Sequence, residues 1–431
     1  MKLVPDRFDA MVRPRGYVFY GWWIVLSSAG VQWFSAFLWM SSYGAYVVLL
    51  EEEFQWSKAL LSGAFALTRI ESGLLGPLQG WMVDRYGPIP VLRTGIVCFG
   101  VGFMLFSQVQ NLWQFYSTFL LIALGTSLGG YATLMVSLVN WFSKYRATAI
   151  SLSQLGYSLG GLCIPILALA LEAWGWRTVA FGSGIVVLFL GLPMVQMVKH
   201  RPEDHGEVPD GIDYDHPDAP APPRAQVQFT ARAAMRTSAF WLISIGHALA
   251  LLIVSAVIVH LIPHLTAGSG YSLVMASNIV LVLTLFQIVG QLLGGWAGDR
   301  VSKRWVCAAC MVAHTVGLLL VTYYATYIAV LGFCVLHGLA WGVRGPMMVA
   351  IRADYFGTEA FGTIMGFSSL IVMFGMSGGP IIAGIMADAD GNYVNGFTLL
   401  AVLALSGALC FIAAKPPKAA PANTGSSFQS R

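Results

Sequence analysis

Apolar residues run through the chain in long stretches that show no strand alternation. The stretches occupy 19–50, 59–83, 89–109, 112–142, 147–171, 178–198, 239–265, 272–297, 304–325, 327–351, 362–387 and 394–414. Each can supply the roughly 20 residues that carry a helix across a bilayer. Gly and Pro inside them are tolerated where membrane helices bend or pack closely. The pattern predicts an all-α membrane protein with twelve transmembrane helices. One long polar segment, Lys199 to Thr237, holds six prolines and seven acids and reads as a flexible tether. It divides the chain into a six-helix half (1–198), a central loop (199–237), a second six-helix half (238–414) and a tail (415–431).

Composition agrees with this pattern. Of the 431 residues 57% are hydrophobic and only 10% charged, against about a quarter charged in a soluble chain, which excludes a globular cytosolic enzyme. The net charge of +4 is small and uneven, which argues against a nucleic-acid partner. With the N-terminus inside, twenty Lys and Arg fall in inside segments and two, Lys58 and Arg177, in outside loops. By the positive-inside rule both termini are then cytoplasmic. Cys307 and Cys310 form a C-x-x-C with no second pair or carboxylate to complete a metal site, so they read as small residues at a helix interface. No nucleotide-binding loop, catalytic triad or cofactor motif is visible, so ATP-driven transport is excluded and no enzyme activity is expected.

The chain repeats itself. Gly80-Trp81-Met82-Val83-Asp84-Arg85 closes span 2 and Gly295-Trp296-Ala297-Gly298-Asp299-Arg300 closes span 8, 215 residues later. Pro165 and Pro380 share that offset, and Asn140-Trp141-Phe142 is echoed at Asp354-Tyr355-Phe356 with an offset of 214. Two six-span halves in parallel order, with a site between them, suit alternating access.

These residues resemble the major facilitator superfamily. Gly80-x-x-x-Asp84-Arg85-x-Gly87 matches its loop 2–3 signature. The second copy (Gly295, Asp299, Arg300) has Ser302 where Gly is expected, and Gly156…Gly160-Gly161…Pro165 is similar to its bending motif. Tyr20-Gly21-Trp22-Trp23, His260-x-x-Pro263 and Gly362…Gly366…Gly378-Gly379-Pro380 look most like bacterial relatives of the monocarboxylate and oxalate/formate porters. The resemblance implies the pseudo-symmetric major facilitator fold and a gating role for Gly80, Asp84, Arg85, Gly87, Gly295, Asp299 and Arg300. It does not supply binding residues, because spans 1, 8 and 11 lack the interior Lys, Arg or acid those porters use. Asp84 also ends its own helix, where the dipole disfavours it, so it calls for a helix N-terminus or an Arg of the other half.

Three charges remain inside the spans: Arg69 and Glu71 in span 2 and Arg344 in span 10. Each should line a cavity or meet a partner. Arg344 lies about 12 Å along its helix from Arg352, counted here as an inner-end cation, and hence near the midplane. A guanidinium there suits a carboxylate through two parallel hydrogen bonds, with Trp341 beside the apolar remainder. The alternative is that Arg344 neutralises Glu71 or bonds helix-end carbonyls. Arg69 lies in the outer half and would attract the anion or hold a second anionic group. Glu71, among leucines, is either a proton carrier or the structural partner of an Arg.

Polar stripes offer further candidate contacts: Gln32 and Tyr43 in span 1, Tyr131 in span 4, Gln154 in span 5 and Gln291 in span 8. Each has inter-helix hydrogen bonding as its alternative. His260 and His337 are candidates for proton coupling, again with structural bonding as the alternative. His314 is expected only to face other helices.

The expected function is a monomeric secondary transporter of a small organic anion, a monocarboxylate above all, driven by proton symport or exchange. It uses no cofactor or metal, and its partners are the anionic substrate, protons and the lipid bilayer. Proton-driven efflux of amphiphiles is the alternative, and a non-transporting metabolite sensor a more distant one.

Overall fold

The computed structural model describes residues 11–14, 16–212, 227–268, 270–324 and 326–417, without the side chains of 58, 59, 62, 65, 66, 69 and 267. All regular structure among them is helical. Span 1 is Gly21–Phe34 and Tyr43–Phe54, joined through a widened turn at Ser35–Met40. Span 2 is Lys58–Tyr86, span 3 Pro88–Phe106, and span 4 is Leu112–Leu128 followed by Tyr131–Trp141. Span 5 begins as Arg146–Leu162 and continues into Ile164–Val186, which turns at Gly175 (φ 73°) and becomes span 6, ending in Leu192–Met197. Spans 7 to 12 are Ser238–Pro263, Leu273–Gly298, Lys303–Tyr323, Tyr327–Phe356, Phe361–Asp390 and Val394–Ala413.

Side-chain caps set many of the helix starts. Ser57, Asn111, Thr237, Ser272 and Thr326 each accept the backbone N–H three residues on, satisfying one of the donors a helix start leaves open. Pro88 and Pro165 stand in first turns, where a missing N–H is harmless. Among the described residues, ten helical segments are long and apolar enough by themselves to cross a membrane. The other two spans are 2, with Arg69, Glu71, Asp84 and Arg85, and 5, which is rich in Ser, Thr and Gly. Each packs one face against the other half, span 2 on span 11 and span 5 on span 8, where polar residues are tolerated.

Two hydrophobic cores form. One draws mainly on Phe19 to Val198, with Phe99, Phe103, Phe115 and Trp141 fully buried. The other draws on Phe229 to Ala414, with Phe240, Phe333, Phe356 and Phe397. Between them the glycines decide how closely spans 2 and 11 approach. A Cβ on Gly80 would lie 2.1 Å from the Gly362 oxygen, and one on Gly366 would lie 2.2 Å from the Gly76 oxygen. Gly295 of span 8 approaches Ser151 and Thr148 of span 5 in the same manner.

Two expectations change. The central segment is not simply a flexible tether: 199–212 folds against the first half and 227–237 against the second, with a short helix at Ala231–Met235. The prolines at 217, 220, 222 and 223 and the tail beyond 417 lie outside the described residues. Arg352 is no loop cation either. It is 2% exposed inside span 10 and donates to Ser368 of span 11 at 2.6 and 3.1 Å. The last two turns of span 10 are roofed by spans 7 and 11, which a hydropathy profile does not register.

Candidate functional site

The sequence places Lys and Arg at one end of the bundle, and there the halves are locked. Asp84, at the end of span 2, accepts from the Gly362 and Thr363 amides (2.8 and 2.7 Å) and the Thr363 hydroxyl (2.6 Å), the opening residues of span 11. Asp299, just past span 8, accepts from Ala147 N (2.7 Å), Thr148 N (3.1 Å) and Thr148 Oγ1 (2.5 Å), which open span 5. All three positions repeat at the 215-residue offset. Each carboxylate sits at the unfavourable end of its own helix and the favourable end of one from the other half, the helix-start partner foreseen for Asp84. Burial pushes the Asp299 carboxyl up to about 6, against the lowering effect of its hydrogen bonds and Lys303.

Arg146, 3% exposed, adds an ion pair with Asp354 of the second half at 2.6 Å, and Asp354 also meets Lys303 at 2.6 Å. Nothing local in the sequence distinguishes Arg146 from a loop cation, so its pairing with the other half could not be read there. Arg85 and Arg300 stay on their own halves: Arg85 lies over Trp81 and Tyr86, and Arg300 donates to Trp296 O while covering its ring. Gly87 takes φ 80°, which lets span 2 turn directly into span 3.

Midway along the bundle the halves meet through polar side chains. Gln154 donates to the Tyr131 hydroxyl (3.1 Å), and its Oε1 stands 2.9 Å from where a Cβ on Gly345 would be, so it reaches span 10. Ser158 donates to Gln291 Oε1 at 3.1 Å, joining spans 5 and 8. Tyr131 opens the second segment of span 4, after a break at Gly129–Gly130, and is 38% exposed although it lies mid-span. The break is packed backbone to backbone, since a Cβ on Gly95 of span 3 would lie 2.0 Å from Gly129 N.

Behind this layer lie the arginines. Arg344 is 1% exposed, and its Nε and Nη1 have no hydrogen-bond partner. Tyr131, Cys307, Cys310, His314 and His337 are its electrostatic neighbours. Arg352, eight residues on, also meets His247 Nδ1 at 3.2 Å. No carboxylate belongs to the surroundings of either guanidinium among the described residues. His337 shares an Nδ1···Nδ1 contact of 3.0 Å with His314, and both Nε2 atoms lack partners. Trp341 stands next to His337, ring centroids 6.5 Å apart.

The remaining candidates lie elsewhere. Glu71 accepts from Ser127 of span 4 (3.1 Å) and from Ser72 (3.2 Å), leaving Oε1 without a partner. The Arg69 side chain lies outside the described residues. Gln32 donates to Ser153 Oγ at 2.6 Å and to two carbonyls, all within the first half. Tyr43 donates to Leu61 O at 2.5 Å. His260 bridges Tyr393 and the Pro380 carbonyl, at 3.2 and 2.9 Å. The structure thus gathers Arg344, Trp341, Tyr131, Gln154, Gln291 and His337 and adds Arg352 and His247, which the sequence did not single out. His247 had no signal beyond its place in an apolar run.

The Major Facilitator Superfamily model matches residues 28–277 and again 243–430. The chain belongs to that superfamily. It is 25% identical over 397 residues to monocarboxylate transporter 13 of Bos taurus, covering 90% of this chain and 88% of that one. It is 27% identical over 383 residues to the gentisate transporter of Corynebacterium glutamicum, covering 85% and 82%. Among solved structures, the human organic anion transporter MFSD10 (TETRAN) superposes with a TM-score of 0.66 at 14% identity, over 94% of this chain and 100% of that one. The expected superfamily and fold are therefore both found. The protein is a multi-pass membrane transporter and not an enzyme.

Proposed function

We propose that this transporter carries a small organic anion bearing a carboxylate, held at Arg344 in the middle of the bundle. The observation behind this reading is the Arg344 guanidinium itself: buried, with two N–H-bearing nitrogens unpaired and no acid nearby among the described residues. An unpaired buried charge is destabilising by several kcal/mol, so the site favours a diffusible counter-ion that can take two parallel hydrogen bonds. Arg352 sits eight residues on and adds to the positive potential. Trp341, beside His337 and one turn before Arg344, offers a surface for an apolar substituent, while the Tyr131 hydroxyl of the other half, bonded by Gln154, lies in the field of the guanidinium. Substrate held between a cation of one half and hydroxyl and amide groups of the other couples binding to their relative tilt, as alternating access requires. Relatives named for monocarboxylate and gentisate transport support the anion class.

The basic end is the cytoplasmic end, by the placement of Lys and Arg, so the conformation described is closed toward the cytoplasm. Glu71, with one oxygen unpaired, is the proposed proton carrier. Counterflow in proteoliposomes against a panel of carboxylates tests the reading. The parent should exchange at least one of them, Arg344→Gln should lose exchange, and Arg344→Lys should keep part of it. Equal exchange by parent and Arg344→Gln would remove the anion site from this position.

A further inference from the structure

The two folded pieces of the central segment grip equivalent places on the two halves. In the first piece, Asp210 is 1% exposed, and its carboxylate accepts from three successive amides, Ser143 N (3.0 Å), Lys144 N (2.7 Å) and Tyr145 N (3.1 Å). In the second, Gln228 Oε1 accepts from Thr358 N (2.8 Å) and Glu359 N (3.2 Å). Ser143 and Thr358, and likewise Lys144 and Glu359, are 215 residues apart, the offset that relates the aspartate latches. The amides gripped by the segment stand just before those gripped by Asp299 and Asp84. Each loop-and-helix start is therefore held from two directions, by the central segment on one turn and by the opposite half on the next.

Both grips are built into their surroundings. Asp210 and Gly211 take φ 59° and 66°, which turns the carboxylate back on the loop, and Trp141 Nε1 and Asn140 Nδ2 fix the carbonyls of Lys199 and His200 upstream. On the other side Phe229 N donates to Phe356 O (2.9 Å), with the two rings edge to face. Gly357 takes φ 82°, and a Cβ there would lie 2.1 Å from Gln228 Oε1, so the glycine makes room for the cap.

We infer that Asp210 and Gln228 are positioning residues of the transport cycle, by which the central segment presents the starts of spans 5 and 11 to the aspartates of the opposite half. This rests on the alternating-access reading and on no particular substrate. The grips hold the preceding turn in register, so that amides 147–148 and 362–363 point where Asp299 and Asp84 can reach them. In the closed state those amides depend on that register. In the open state water satisfies them wherever they point, so loosening a grip penalises closure selectively.

The test uses the full chain with spin labels at Tyr86→Cys and Val301→Cys. These exposed basic-end positions lie on opposite halves, and Cys98, Cys163 and Cys410 are replaced by Ser. Inter-label distances are measured without substrate. Gln228→Ala, at an exposed position that leaves the core untouched, should raise the long-distance population relative to the closed one by about tenfold, the size of effect typical of losing a helix-start cap. Asp210→Ala should do the same, and Asp210→Asn and Gln228→Glu, which keep an acceptor, should restore most of the closed population. Unchanged distances in the alanine variants overturn the inference, and so does a shift that the conservative variants fail to reverse. Because no anion is present, the result is independent of counterflow: failure here leaves the Arg344 reading standing, and failure of that reading leaves this one standing.

Discussion

Closure at the basic end depends on the absence of a side chain at Gly80, and one methyl group should undo it. In Gly80→Ala the new Cβ would lie 2.1 Å from the Gly362 oxygen and 2.5 Å from its carbon. Carbon and oxygen settle no closer than about 3.3 Å, so span 11 must retreat by about 1 Å. The three hydrogen bonds of Asp84, now 2.6 to 2.8 Å, then stretch past the range in which they hold. Bonds to a charged group are worth about 1.5 kcal/mol or more each, so about 4 kcal/mol of closed-state free energy is lost, near a thousandfold in population. Amide hydrogen exchange followed by mass spectrometry reads this directly. Gly362 and Thr363 should exchange far faster in Gly80→Ala, and Ala147 and Thr148 should follow as the halves part. Gly44→Ala, whose Cβ meets nothing within 4 Å, is the control and should match the parent. Parent-like protection of residues 362 and 363 in Gly80→Ala would refute the account of the gate.

Three other expectations accompany it. Replacing Glu71 by Gln should leave carboxylate exchange intact but abolish accumulation driven by a proton gradient; accumulation at the parent level would show that the proton travels elsewhere. In the efflux alternative, Arg344→Gln should spare extrusion of cationic dyes while carboxylate uptake is lost, so loss of both or of neither rejects the assigned role of Arg344. The Asp299 carboxyl, buried against Thr148 and near Lys303, is pushed up to about 6 from an ordinary 3.8. The closed form therefore binds the extra proton, so closure should weaken as pH rises from about 4 to about 6 and stay level above that, where the carboxyl is ionised in both states. Protection of the Ala147 and Thr148 amides, corrected for intrinsic exchange, should follow that profile and be flat in Asp299→Asn; protection that rises with pH would contradict it.

The sequence carried the scaffold because burial in a bilayer leaves a periodic and local record: twelve apolar stretches, one polar gap, and motifs repeated at a fixed offset. It carried the latches in part. Asp84 at the wrong end of its helix was a visible electrostatic problem, and the solution is a helix start. It hid what depends on tertiary partners. Arg352 reads as a loop cation until Ser368 and His247 close over it, and Arg146 reads the same way until Asp354 meets it. Gln32 shares its span with Tyr43, yet its amide is satisfied by Ser153, since hydropathy does not say which face of a helix meets a neighbour. The central segment looked unstructured because prolines and acids dominate it, while its anchoring comes from two side chains, Asp210 and Gln228, that composition cannot single out.

The crossed aspartates have a consequence for how such a molecule can arise. Each half contributes one acceptor and one donor to the shared boundary, and the two contributions are interchanged by the internal symmetry. For a six-span protein that pairs with its own copy about a two-fold axis, a single aspartate and a single helix start would furnish both locks at once. Fusing two such copies end to end would inherit both locks. The covalent connection is then the only element the fused molecule must add.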